Sequence, residues 1–303
     1  MVSTETPHQA TQTIEDSLSR IKKDIPQLSG VVDAFQDLLI NRVAAKSELP
    51  MVEFSDEKVD RLIFSQGMPM LHDRKIHVEK QAIKGVSRLL VPSMKKGFPK
   101  LNVSLSKLEL FLEENGSFLD ELAHCMESIA TDVPANLAMK MEIPSPELQF
   151  ICFELARPFA ENISEKVSPF IKDLSWPKGY CPVCGSWPAI SFWKSSEGRR
   201  FLRCSFCAHE WTYMRTQCPF CENTDNEKME IIFSEDRNFE HAELCHSCMK
   251  YIVGIDTRNM IAVPDGSVAP LGLIYLDVLA QDRGFQPGAA CAWNILEKTE
   301  KSF

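Results

Sequence analysis

Long apolar runs are missing from this chain: no stretch approaches the roughly 20 uncharged apolar residues that a membrane span needs. The first residues, MVSTETPHQATQTIEDSLSR, carry no basic start leading into an apolar run. No secretory signal is therefore visible, and a cytoplasmic protein without membrane insertion is expected. An excess of positive charge is missing too. Lys plus Arg number 33 against 42 Asp plus Glu, a net charge of −9, which disfavours non-specific attraction to nucleic acid or anionic lipid. Residues 1–175 hold no phosphate-cradling loop, no nucleophile elbow and no paired catalytic carboxylates, so they offer no enzyme active site. Lone histidines such as His72, His77 and His124 read as solvated or satisfied side chains.

The chain does have the composition of a soluble globular protein, 44% hydrophobic and 25% charged, and its 303 residues suggest roughly two domains. Residues 1–175 read as helical. Val32, Phe35, Leu38, Leu39, Arg42 and Val43 recur three and four apart, and Pro50 closes that segment. A second helix is expected over about 73–91, stopping before Pro92. A third uses Leu105, Leu108, Phe111 and Leu112. Beyond Gly116 a fourth would carry Phe118, Leu119, Leu122, Cys125, Met126 and Ile129 on one face. Ser145-Pro146-Glu147 is a helix start, with Ser145 as cap and Pro146 in the first turn. Its apolar face is Leu148, Ile151, Cys152, Leu155 and Phe159, with a kink expected at Pro158.

At Ser175-Trp176-Pro177-Lys178-Gly179 the composition shifts. Short β-type runs follow: Ala189–Trp193, Phe201–Arg203, Trp211–Arg215, Glu230–Phe233 and Tyr251–Ile255. After Pro264-Asp265-Gly266 a final helix would align Leu271, Ile274, Tyr275, Val278 and Leu279 and end at Gly284. The expected architecture is α+β. An all-helical domain over 1–175 precedes a tandem rubredoxin-like or zinc-ribbon domain over 176–255, and a C-terminal helix and tail fill 256–303.

Eleven cysteines need an explanation in a compartment that keeps thiols reduced. Cys125, Cys152 and Cys291 are isolated; the first two sit in apolar helical patterns and read as core. The other eight form four Cys-x-x-Cys pairs within 68 residues, arranged as a tandem repeat. Cys181-Pro-Val-Cys184 is followed after 19 residues by Cys204-Ser-Phe-Cys207. Cys218-Pro-Phe-Cys221 is followed after 23 residues by Cys245-His-Ser-Cys248. A two-residue gap lets both thiolates of a knuckle face one ion, and the longer gap accommodates a hairpin that opposes two knuckles. Four thiolates in a tetrahedron suit zinc, and iron takes the same ligands. The repeat predicts sequential pairing, first knuckle with second and third with fourth. His209 and His246 are assigned supporting or surface roles, since four cysteines fill each site. Trp187, Trp193 and Trp211 are expected to cover the metals.

The strings YCPVCGSWP, GRRFLRCSFCAHEWTYMRTQCPFCEN and ELCHSCMKYIVGID, with the terminal LDVLAQDRGF, closely resemble formate dehydrogenase accessory proteins of the FdhE type. The resemblance is specific over about 180–285 and lies in length and helical character before that. It implies a cytoplasmic maturation factor, not an enzyme. Such a factor binds the catalytic, molybdenum- or tungsten-dependent subunit of formate dehydrogenase and assists or checks its assembly before export. It also implies iron held by Cys181, Cys184, Cys204, Cys207, Cys218, Cys221, Cys245 and Cys248. Where the family carries an acidic pair before the last helix, this chain reads Pro264-Asp265-Gly266-Ser267.

Other readings stay open beside it. A zinc-ribbon nucleic-acid binder would be more cationic than residues 176–253, where nine Lys plus Arg meet ten Asp plus Glu. Only Arg199, Arg200 and Arg203, with Arg215, could form a local positive patch; the first three are the candidates for partner contact. An iron tetrathiolate electron carrier is the other reading. The choice of metal and the oligomeric state, a homodimer included, are not fixed by spacing.

Overall fold

A computed structural model describes residues 6–50, 60–72, 79–113, 120–123, 135–234, 236–289 and 291. In chain order the helices are α1 (Pro7–Asp24), α2 (Ser29–Ser47), α3 (Arg61–Ser65), α4 (Lys80–Gly97), α5 (Asn102–Glu113), α6 (Ala135–Met141), α7 (Ser145–Ile171), α8 (Ala269–Gly272) and α9 (Ile274–Asp282). The strands are β1 (Pro188–Lys194), β2 (Arg199–Cys204), β3 (Glu210–Thr212), β4 (Met229–Phe233), β5 (Glu240–Cys245), β6 (Lys250–Asp256) and β7 (Gln286–Pro287). The chain gathers into two compact units. One comprises Met1–Val52, Asp73–Ile163 and Cys291–Phe303; the other comprises Glu53–His72 and Ser164–Ala290.

The first unit is helical. Thr6 and Gln9 form a reciprocal cap on α1, and Pro7 opens its first turn. Val32, Phe35, Leu38 and Leu39 of α2 are buried, and α2 packs with both α1 and α4. The helix expected to stop before Pro92 instead runs through it to Gly97. Leu90, Val91 and Met94 are all buried there, and Ser93 Oγ donates to Leu89 O. Burying three such side chains, at about 2 kcal/mol each, outweighs the roughly 3 kcal/mol that an interior proline costs. Ser145 is the first residue of α7 and not its cap, and the helix continues past Pro158 to Ile171. Its expected face is buried: Leu148, Ile151, Cys152, Leu155 and Phe159. Arg42, read as part of an apolar stripe, is buried because it pairs with Glu154 of α7. Gly116, Phe118, Leu119, Cys125, Met126, Ile129, His77 and His124 lie outside the described residues; Leu122 is buried and His72 exposed.

The second unit is a seven-stranded sheet in the order β3-β2-β1-β6-β5-β4, with β7 beside the start of β6. Each half of the tandem repeat contributes one hairpin and one following strand: β1–β2 then β3, and β4–β5 then β6. The halves join through β1 and β6, which run parallel. On one face Ile190, Phe192, Ala242, Leu244, Val253 and Ile255 pack with Leu273, Leu276 and Ala280 from the C-terminal helices. Those helices form two pieces, not one. Leu273, with φ −106°, breaks the turn between them and resets the phase. The buried face is therefore Leu271, Leu273, Leu276 and Ala280, while Val278 and Leu279 are exposed. The segment ends at Gly284 as expected.

Candidate metal centres

Each Cys-x-x-Cys pair adopts the same backbone frame. The N–H of the residue after the second cysteine donates back to the first cysteine's carbonyl, as in Gly185 to Cys181, Glu222 to Cys218 and Met249 to Cys245. The first cysteine's N–H donates forward five residues, from Cys181 to Ser186, Cys204 to His209 and Cys218 to Asn223. This tight turn places the residue after every second cysteine in the left-handed region: Gly185 at φ 80°, Ala208 at 58°, Glu222 at 60° and Met249 at 56°. Only the first knuckle uses glycine, the residue that takes this conformation without strain. The other three knuckles hold a side chain there, at a cost of about 1 kcal/mol each.

The frames bring the eight sulfurs into two groups, Cys181 with Cys184, Cys204 and Cys207, and Cys218 with Cys221, Cys245 and Cys248. The ligand atoms of each group lie within 4.8 Å of one another. This is the sequential pairing. In the first group Cys181–Cys207 and Cys184–Cys204 are each 3.5 Å apart. In the second, Cys218–Cys248 is 3.8 Å and Cys221–Cys245 is 3.7 Å. A tetrahedral thiolate site with metal–sulfur bonds of about 2.3 Å needs sulfurs about 3.8 Å apart. Both groups could hold a metal ion.

The surroundings fit thiolates. Backbone N–H groups point at the sulfurs: Val183 to Cys181, Phe206 and Cys207 to Cys204, and Phe220 to Cys218, each at 3.4 Å. Burial pushes the Cys181, Cys207 and Cys218 thiols up, because a lone buried thiolate has no counter-charge. A cation among four sulfurs supplies that charge.

His209 and His246 stand outside both groups. His209 Nδ1 lies 2.8 Å from Ser168 Oγ, its ring stacks on Trp211, and burial lowers its pKa to about 4, so it is neutral at pH 7. His246 Nε2 lies 2.9 Å from Glu230 Oε2. Of the three tryptophans expected over the metals, Trp187 and Trp211 stand next to knuckles. Trp187 O accepts from Ser205 N–H, and its ring meets Tyr180 and Phe220. Trp193 does not join them. It sits at the hairpin end of β1, between His241 and Arg215.

The three arginines of the hairpin have separate fates. Arg199 is 66% exposed and pairs with Glu197. Arg203 is 19% exposed and pairs with Glu210. Arg200 is fully buried. It meets Glu243 at 2.5 Å and donates to the carbonyls of Met214 and Gln217.

Arg200 belongs to a polar cluster that the sequence reading missed. On the face opposite the apolar core, Ser191 Oγ donates to Glu243 Oε1 at 2.6 Å, and His241 Nε2 lies 3.4 Å from that oxygen. Although burial alone would raise it, Glu243 is held at about 2 by Arg200 first and then by His241 and Ser191. Ser191 and Arg200 come from the first repeat, and His241 and Glu243 from the second, so the cluster ties the halves together at the parallel junction. Gly254 completes it. A Cβ there would stand 2.5 Å from His241 Nε2 and 2.9 Å from Ser191 Oγ. The sequence signal was the alternation of His241 and Glu243 with Ala242 and Leu244 in β5, which reads as polar loop unless partners are known.

A second omission is the segment around α3. Met70 and Leu71 donate their backbone N–H groups to the carbonyls of Pro182 and Val183, at 2.8 and 2.9 Å. Residues far upstream in the chain thus brace the first knuckle.

Comparisons with known proteins agree with this geometry. A family described as "FdhE, central domain" matches residues 180–215, which contain the four cysteines of the first group. A "Protein FdhE homolog" of Aquifex aeolicus is 31% identical over 208 residues, covering 63% of this chain and 72% of that protein. A "Protein FdhE homolog" of Haemophilus influenzae is 36% identical over 113 residues, 35% of each chain. The crystal structure of the FdhE protein from Pseudomonas aeruginosa has the same fold, with a TM-score of 0.64 over 94% of this chain and 96% of that one, at 18% identity.

Proposed function

Because this chain belongs to the FdhE family, we propose that it is a cytoplasmic accessory factor of formate dehydrogenase, binding the catalytic subunit and assisting its assembly without turnover of its own. The observation that carries the reading is the pair of four-cysteine groups on one sheet. A four-thiolate site leaves no position open for hydrolytic chemistry and acts instead by fixing the surface around it. Two iron or two zinc ions would be held by Cys181, Cys184, Cys204 and Cys207, and by Cys218, Cys221, Cys245 and Cys248. The ions supply charge and cross-linking. The protein's own residues supply the rest: backbone donors orient the sulfurs, and the Ser191–Arg200–His241–Glu243 cluster fixes one repeat against the other. Among the described residues no helix is long and apolar enough to cross a membrane, which suits a partner met before export. Of the three arginines named for partner contact, Arg199 offers the accessible guanidinium, and Arg203 a smaller exposed part.

The test is a deletion strain grown under conditions that induce formate dehydrogenase. The expected result is loss of formate oxidation with the transcript unchanged, together with recovery of the catalytic subunit on tagged protein from the native host. Normal formate oxidation in the deletion strain overturns the reading. Metal analysis of protein purified without oxygen decides between iron and zinc.

A further inference from the structure

The two centres share a frame but differ in cover. In the first group Cys181, Cys204 and Cys207 are at most 2% exposed and Cys184 is half-buried. Its first knuckle is held by the Met70 and Leu71 N–H groups, and Pro69 lies against Gly185. In the second group Cys218 and Cys245 are 1% exposed, Cys248 is half-buried and Cys221 is exposed. Backbone N–H groups of Phe220 and Cys221 reach Cys218, those of Ser247 and Cys248 reach Cys245, and that of Lys250 reaches Cys248. Beside Cys221 stands Glu222 in a left-handed conformation, its carboxylate on the half-exposed Lys178. The second centre thus has two buried cysteines, one half-buried and, at Cys221, an exposed corner.

We propose that this corner is an exchange position: an external thiol takes the place of Cys221 on the second metal, while the first centre stays closed. The inference rests on the reading that both groups hold a metal. As the incoming thiol binds, its S–H proton leaves and its sulfur forms a bond to the metal. The Cys221–metal bond breaks, and the Cys221 thiolate takes up a proton. The coordination number stays at four and nothing is oxidised or reduced. The exchange requires an approach path to the metal past the leaving sulfur, which exposure provides at Cys221 and burial denies at Cys181, Cys204 and Cys207. The ligand class is a thiol, whether small and free or a cysteine of a protein.

The experiment uses the full chain loaded with Co²⁺, whose thiolate charge-transfer band reports the number of bound sulfurs. With a chromogenic chelator, one of two equivalents should leave at least about tenfold faster than the other. Iodoacetamide labelling read by mass spectrometry should mark Cys221 first. Cys221→Ala should keep two metals with a weakened band. Added 2-mercaptoethanol should restore that band, whereas in Cys204→Ala it should not. A parallel titration with a short peptide carrying one cysteine separates the two thiol sources: restoration at lower concentration than 2-mercaptoethanol assigns the position to a protein partner, and the reverse to free thiols. Equal release of both metals, first labelling at Cys184 or Cys204, or a Cys221→Ala band that no thiol restores overturns the proposal. Failure to bind two cysteine-dependent metals at all removes the metal reading itself, and the proposal with it.

Discussion

The two halves of the tandem repeat are near copies in backbone and unlike in environment. Both run knuckle, hairpin, knuckle, strand, and in both the residue after each second cysteine is left-handed. Yet the first group has three deeply buried sulfurs and a brace from residues 69–71, while the second leaves Cys221 exposed. Local sequence sets the knuckle, and long-range packing sets its access. A repeated motif therefore does not imply a repeated role.

The largest expected effect removes one centre at a time. Cys181→Ser with Cys184→Ser, and separately Cys218→Ser with Cys221→Ser, should each lose about one metal per chain. Metal-linked folding energy for such sites is on the order of 10 kcal/mol. The first pair should lower the melting temperature more and open the sheet unit to protease, because its knuckle also anchors the segment around α3. Metal content, thermal unfolding and limited proteolysis check this. Equal melting temperatures would mean that the brace contributes nothing.

A smaller effect probes the junction between the halves. Arg200→Met leaves Glu243 buried without its cation, which costs about 3–5 kcal/mol. Arg199→Ala, one residue away on an exposed side chain, should stay within about 0.5 kcal/mol. Urea unfolding of the two variants measures the difference, and a mild Arg200→Met would show that the cluster is not what ties the repeats.

The smallest effect tests the shared frame. Ala208→Gly and Met249→Gly should each stabilise by about 0.5 kcal/mol, the left-handed strain relieved less the entropy of the added glycine. Gly185→Ala should do the opposite, with its new Cβ 3.3 Å from Pro69. If all three changes destabilise, side-chain contacts at Ala208 and Met249 outweigh the backbone.

Much of the candidate site was legible because a metal knuckle is a short-range object. Its ligands, spacing and turn lie within a few residues, and the repeat announces the pairing. The strands that were also legible, β1, β2, β4 and β6, carry apolar or aromatic runs, and the expected Trp211–Arg215 strand is met only at its start, since β3 spans Glu210–Thr212. β5 was not, since Glu240, His241 and Glu243 look like loop: Arg237, three residues upstream, pairs with Glu240, but the partners of Glu243, Arg200 and Ser191, arrive from the other repeat. Helix faces such as Leu148–Phe159 followed from periodicity. At Pro92 the local penalty is offset by the burial of Leu90, Val91 and Met94, which the residues beside the proline do not announce. The last helix was assigned the wrong face because a break at Leu273 shifts every later side chain around the axis.

The sequence by itself determined that eight cysteines would form two four-sulfur groups, and that a helical region would precede them. Tertiary structure alone decided that the halves join through parallel β1 and β6, that Arg200 is buried while Arg199 is not, that residues 69–71 brace the first centre, and that Cys221 is the exposed cysteine of the two groups. The division follows the range of the forces involved. Turn geometry and ligand spacing are written between neighbours, whereas burial and charge pairing depend on residues that only the folded chain brings together.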